Sequence, residues 1–71
     1  MKINYDRQAD ALYIQFQKKS KISQTIKIRD GILCDIDRSG RLFGLEILDA
    51  STRLPIEELG RVTIDIPVTA A

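Results

Sequence analysis

DIDRSGRLFGLE, residues 35–46, decides the fold because it fits two incompatible interpretations. Its acidic residues and its glycine follow the spacing of a calcium-binding EF-hand loop, with a serine as the one departure. The apolar residues on either side of the turn alternate with polar ones, whereas an EF-hand requires a helix on each side. We therefore interpret the stretch as a β-hairpin with a solvated turn and predict no metal site. The residues that would bind a divalent ion under the other interpretation are Asp35, Asp37 and Glu46.

The same alternation continues along most of the chain. Apolar residues fall at every second position in five segments between residues 2 and 48, separated by turn-forming residues. The sequence therefore predicts an α+β, mostly β fold, an antiparallel meander of five or six strands. Capping and stop signals in residues 49–60 predict one or two short helical turns near residues 49–59. Alternation returns at 62–66 and predicts a sixth strand, so that residues 1–71 form a single small domain.

The strand register follows from the requirement that facing apolar residues share one side of the sheet. A three-residue loop that ends at Gly31 satisfies this requirement, and it needs a positive φ at that glycine. The facing pairs predicted for this hairpin are Ile28 with Ile32 and Ile26 with Cys34. Those predicted for the next hairpin are Ile36 with Phe43, Cys34 with Leu45 and Ile32 with Ile47.

Composition narrows the function classes. Eleven Lys and Arg face ten Asp and Glu, a net charge of +1 that favours neither nucleic acid nor a membrane as partner. The densest basic cluster, Lys18, Lys19 and Lys21, is interpreted as a solvated turn. The chain has no histidine and one cysteine, which argue against an enzyme and for a reducing, cytoplasmic location. We expect no catalytic residue and no cofactor.

The small size of the chain favours association. A domain of 71 residues barely offsets its conformational entropy by apolar burial, so we expect a homodimer or a complex. The predicted function is a non-enzymatic protein-interaction module, with Tyr13, Glu46 and Asp49 as candidate surface residues. The alternative is a small-molecule or divalent-metal-binding protein that uses an acidic rim. The members of that rim are Asp6, Asp10, Asp35, Asp37, Glu46 and Asp49.

Two motifs carry a resemblance to a known family. Tyr5-Asp6 is followed by Ala9-Asp10-Ala11-Leu12-Tyr13-Ile14, and Gly40-Arg41-Leu42-Phe43 by Gly44-Leu45-Glu46-Ile47-Leu48-Asp49-Ala50. They resemble the small prokaryotic family catalogued as domain of unknown function 2283. The resemblance implies a small β-rich domain without an established activity or cofactor. Some members are encoded beside a small protein that resembles a ribonuclease-type toxin, which implies an antitoxin-like partner role.

Overall fold

Each alternating segment between residues 2 and 48 forms a β-strand. The computed structural model describes residues 1–67, so residues 68–71 of the predicted domain lie outside the described residues. Turns rich in Asp, Gly and Ser separate most of the strands. The strands are β1 (Lys2–Asp6), β2 (Ala11–Gln15), β3 (Ile22–Arg29), β4 (Ile32–Asp37) and β5 (Leu42–Leu48).

All five strands belong to one antiparallel sheet in the order β1-β2-β5-β4-β3, which confirms the predicted fold class. The strands β3, β4 and β5 are sequential neighbours, as in a meander. The β1–β2 hairpin joins the free edge of β5 instead of the edge of β3. The connection formed by residues 16–21 therefore crosses one end of the sheet on its way from β2 to β3.

Most of the predicted facing pairs are confirmed. Ile26 faces Cys34, Cys34 faces Leu45, and Ile32 faces Ile47. Two predicted pairs are wrong because the strands contain extra residues that the alternation does not reveal. Arg29, not Ile28, faces Ile32, since Ile28 is an extra residue in β3, and the predicted three-residue loop is therefore wrong: two residues, Asp30 and Gly31, connect the strands. Leu42, not Phe43, faces Ile36, since Phe43 is an extra residue in β5.

The register gives the sheet an apolar face and a polar face. The apolar face is formed by Ile3, Tyr5, Leu12, Ile14, Ile26, Ile32, Cys34, Ile36, Leu45 and Ile47. The polar face is centred on Tyr13, Thr25, Leu33, Asp35, Gly44 and Glu46. Only three hydrophobic residues, Leu12, Cys34 and Ala50, are buried in the described chain. A single sheet thus leaves much of its own apolar face open to solvent.

Two short helical elements follow the sheet, as predicted: α1 (Ala50–Arg53) and a 3-10 helix (Ile56–Gly60). The 3-10 helix lies beside the β1–β2 part of the apolar face. A groove of about 440 Å³ there is lined by Met1, Ile3, Tyr5, Leu12, Ile56, Leu59 and Val62. Neither these helices nor any other helix in residues 1–67 is long and apolar enough to cross a membrane.

The sixth strand expected over residues 62–66 does not form within the described chain. A strand needs a hydrogen-bonded neighbour, and neither edge of this sheet pairs with these residues. Val62, Ile64 and Ile66 consequently remain exposed.

Arg53 ties α1 to the β3–β4 turn. Its Nε donates a hydrogen bond to the carbonyl of Leu48 (3.0 Å), and its guanidinium also donates one to the carbonyl of Asp30 (2.9 Å). Gly31 lies beneath this guanidinium with φ at 81°, which confirms the predicted positive angle. A Cβ at this position would lie 2.6 Å from an Arg53 nitrogen. Glycine at position 31 therefore meets two requirements: it adopts the positive φ, and it leaves room for the Arg53 guanidinium.

Gly31→Ala should lower the free energy of unfolding, measured by chemical denaturation, by about 2 kcal/mol, because it combines left-handed strain with displacement of Arg53. Gly40→Ala is the matched control. Gly40 also has a positive φ of 88°, but an added Cβ would have no neighbouring atom within 4 Å, so its loss should be about 1 kcal/mol. Equal losses for the two variants would contradict the proposed role of Arg53.

Candidate functional site

A row of hydrogen-bonded side chains crosses the polar face. The Tyr13 hydroxyl donates to Oδ2 of Asp35 (2.6 Å), and the Thr25 hydroxyl donates to Oδ1 of the same carboxylate (2.6 Å). To reach Asp35, the Tyr13 side chain passes over Gly44, where a Cβ would overlap the phenol ring and its hydroxyl. The glycine in the middle of β5 thus permits a link that runs from β2 across β5 and β4 to β3.

The Tyr13 hydroxyl is held in its neutral form. Partial burial of Tyr13, then its hydrogen bond to Asp35 and the negative charges of Asp35 and Glu46, raise the pKa of Tyr13 to about 12. A tyrosine with this pKa donates a hydrogen bond at neutral pH but does not act as a general base there. The row therefore orders the sheet, and its geometry contains no activated nucleophile.

Only two of the three candidate surface residues meet on the polar face. Glu46 is the direct cross-strand neighbour of Tyr13. Asp49 lies instead at the start of α1, with an exposed side chain and a left-handed backbone at φ 51°. Its carbonyl accepts hydrogen bonds from the Thr52 amide (3.1 Å) and hydroxyl (2.7 Å), so its backbone, rather than its carboxylate, organises this turn.

The carboxylate of Asp37 is the most heavily bonded polar group of the structure. Asp37 is 6% exposed. Its Oδ1 accepts hydrogen bonds from the Ser39 amide (3.0 Å), the Ser39 hydroxyl (2.8 Å) and the Arg41 amide (2.9 Å). Its Oδ2 accepts from Nε2 of Gln17 (3.0 Å) and the Ser20 hydroxyl (3.1 Å). These donors, the Gln17 amide first, hold the pKa of Asp37 well below its usual range.

The three carboxylates of the calcium interpretation are not brought together. Asp35 bonds to Tyr13 and Thr25 on the polar face, whereas Asp37 bonds inward to the turn and to the crossover connection. Within residues 1–67 no group of three or more Asp, Glu or Cys side chains is arranged to hold a metal ion. Residues 35–46 form the β4–β5 hairpin, as predicted, and Asp37 accepts hydrogen bonds from two backbone amides of its turn.

The other members of the predicted acidic rim also serve local structure. Asp6 accepts hydrogen bonds from the Gln8 and Ala9 amides at the β1–β2 turn. Asp10 accepts from the Tyr5 hydroxyl (2.7 Å) and from the Ser51 amide (3.0 Å) and hydroxyl (2.7 Å), which lowers the pKa of Asp10. Asp10 thereby ties the first turn to the second residue of α1 and acts as a helix cap supplied from 41 residues away.

Sequence reasoning missed Thr25 and Gln17, because their roles depend on which strands become neighbours. A signal did exist for the row formed by Tyr13, Asp35 and Thr25, called here the Tyr13 row. A glycine inside a strand indicates close approach by another group, and Gly44 is such a glycine.

Comparison with known proteins gives one family match. A family model described as "Protein of unknown function (DUF2283)" matches residues 2–51, which span all five strands and the start of α1. No curated protein and no solved structure matches the chain.

The Tyr13 row predicts an unusual alkaline titration. In a Tyr5→Phe background Tyr13 is the only tyrosine, and its tyrosinate absorbance should rise with a midpoint near pH 12. Gly44→Ala should bring the midpoint towards 10, because the added methyl displaces the ring from Asp35. Since the folded pKa is raised, the row stabilises the fold below about pH 10 and this contribution is lost as the pH rises through about 12. Gly60→Ala should leave the midpoint unchanged; a parent midpoint near 10 would refute the assignment.

Asp37 predicts a specific sensitivity to acid. Its lowered pKa means that the carboxylate stabilises the fold above its ordinary pKa of 3.8, and that this contribution is lost as the pH falls below that value. Asp37→Asn should be less stable at neutral pH, because an amide replaces an acceptor oxygen by a donor. Denaturation curves below about pH 4 should then show a flatter pH dependence for Asp37→Asn than for the parent. Asp65→Asn, at an exposed position, should follow the parent; identical slopes for all three proteins would count against this role.

Proposed function

The chain belongs to the DUF2283 family of proteins of unknown function, and from that premise we propose that it is a non-enzymatic interaction module that forms a homodimer through its apolar face. The observation that carries the proposal is the incomplete burial of this face. Five strands produce only three buried hydrophobic residues in the described chain. Stable domains normally bury a sheet's apolar side against a second layer.

The exposed area supports a partner of substantial size. The chain exposes 5992 Å², whereas a compact monomer of this length exposes about 4,400 Å². The excess of about 1,500 Å² exceeds the roughly 800 Å² that each partner contributes to an interface of standard size. Residues 61–67 contribute part of the excess because all of them are exposed. The remainder includes the apolar side chains at the β3 side of the sheet.

The chemistry of the open region favours a second copy of the chain. The 3-10 helix lies over the β1–β2 side, so the β3–β4–β5 side is the part without a covering layer. Its residues Ile26, Ile32, Ile36 and Leu45 are uncharged, and Ile26 is 39% exposed. Arg29, the cross-strand neighbour of Ile32, lies at the margin of this region, whose centre is apolar. An apolar centre does not select an oppositely charged partner, and in a two-fold dimer the same patch of each copy meets across the axis. Two such faces would pack as a two-layer sandwich.

Sedimentation velocity tests the proposal, with protein concentrations that span about a hundredfold and include the micromolar range. The unaltered chain should sediment as a dimer. Ile26→Lys should shift it to a monomer, because it places a charge in the apolar interface. Ile26 is partly exposed in the single chain, so the lysine should be tolerated in the folded monomer, and circular dichroism checks that the sheet is retained.

Thr25→Lys is the matched control, since it adds the same charge one residue away on the polar face, beside Asp35. It should remain a dimer. A monomer at every concentration for the unaltered chain, or equal dissociation of both variants, would overturn the proposed interface.

A further inference from the structure

The charge of the chain is unevenly distributed in space. The crossover connection and the β4–β5 turn meet at the same end of the sheet, because both bond to Asp37. This end, called here the basic end, carries Lys18, Lys19, Lys21, Arg38 and Arg41. Within residues 16–21 and 37–41, the two segments that form the basic end, Asp37 is the one carboxylate, so these segments have a net charge of +4 and the rest of the chain −3, against a total of +1.

The positive charges of the basic end are not neutralised by neighbours. All five cationic residues are exposed. Within residues 1–67 the one ion pair joins Lys27 to Asp30, at the opposite end of the sheet. Asp37 is buried and directs its oxygens to neutral donors. The basic end therefore presents a concentrated positive potential to solvent.

The two loops are held in a fixed relation to each other. Ser20 in the crossover connection and Ser39 in the turn donate hydrogen bonds to the same carboxylate, at 3.1 and 2.8 Å. Gln17 additionally donates to the Leu42 carbonyl (2.9 Å) at the start of β5. Cations on loops joined in this way require little ordering when they bind a polyanion.

We infer that the basic end binds the phosphate backbone of single-stranded nucleic acid, with Phe16 stacking against a base. Phe16 is 39% exposed and comes two residues before Lys18. Cations beside an exposed aromatic ring are the combination that binds single strands without sequence preference. The loop tips, residues 18–20 and 38–41, contain no apolar side chain, so the exposed apolar residues of this end are the flanking Phe16, Ile22 and Leu42. Binding at the basic end does not depend on the proposed dimer.

Fluorescence anisotropy with a labelled oligouridine of about 12 nucleotides tests the inference. The unaltered chain should bind at low salt, and the logarithm of its association constant should fall with the logarithm of salt concentration at a slope of about −3. The double variant Lys18→Gln, Lys19→Gln should bind about tenfold more weakly, with a slope shallower by about 1.4. Phe16→Leu should weaken binding about fivefold and leave the slope unchanged.

The matched control is the double variant Arg7→Gln, Lys27→Gln, which removes the same charge from the opposite end of the sheet. It should bind like the unaltered chain. Equal weakening of both double variants, a slope near zero, or absence of oligouridine binding would overturn the inference. Binding to vesicles containing phosphatidylserine without binding to oligouridine would also overturn it, and would assign the basic end to a membrane.

Discussion

The hydrogen bonds of the Asp37 carboxylate are the interaction on which the sheet topology depends. The chain must cross from β2 to β3 past two intervening strands, a distance of about 14 Å for three strand spacings. Six residues reach about 20 Å when fully extended, so the connection has little freedom and passes close to the β4–β5 turn. Asp37 stands at that point and bonds to both segments. One side chain thus closes the hairpin and holds the crossover that connects β2 to β3 past the ends of β5 and β4.

The positions of the strands can be predicted from the sequence, but which strands pair with each other cannot. Alternation reports which residues share a face, and this was sufficient for the pairs of Cys34 with Leu45 and Ile32 with Ile47. It does not report an extra residue such as Phe43, because a bulge alters the register without altering composition. Nor does it report that β2 joins β5, since that choice is made by tertiary contacts. The roles of Gln17 and Thr25 follow from strand adjacency and were inaccessible for the same reason.

The motifs that carry the family resemblance connect elements of the fold to one another. In the first motif, the Tyr5 hydroxyl donates a hydrogen bond to Asp10, and Asp10 accepts one from the amide of Ser51. Ala50, the residue before Ser51, is fully buried. In the second motif, Gly44 provides the space through which Tyr13 reaches Asp35. These contacts give the motif residues a role in stabilising the fold. A function for this chain therefore has to be sought on surfaces that the fold leaves unused.

Two such surfaces remain, the apolar face and the basic end, and their positions allow both to be occupied at once. The edge strand β3 contains two extra residues, Ser23 and Ile28, which disturb its ladder and disfavour strand addition at that edge. Association is therefore better served by the apolar face than by the β3 edge. The basic end lies where the strands terminate, outside both faces, so stacking two apolar faces leaves the cations of each copy accessible. A face-to-face dimer would then present two basic ends, and a strand long enough to span them would gain affinity from both.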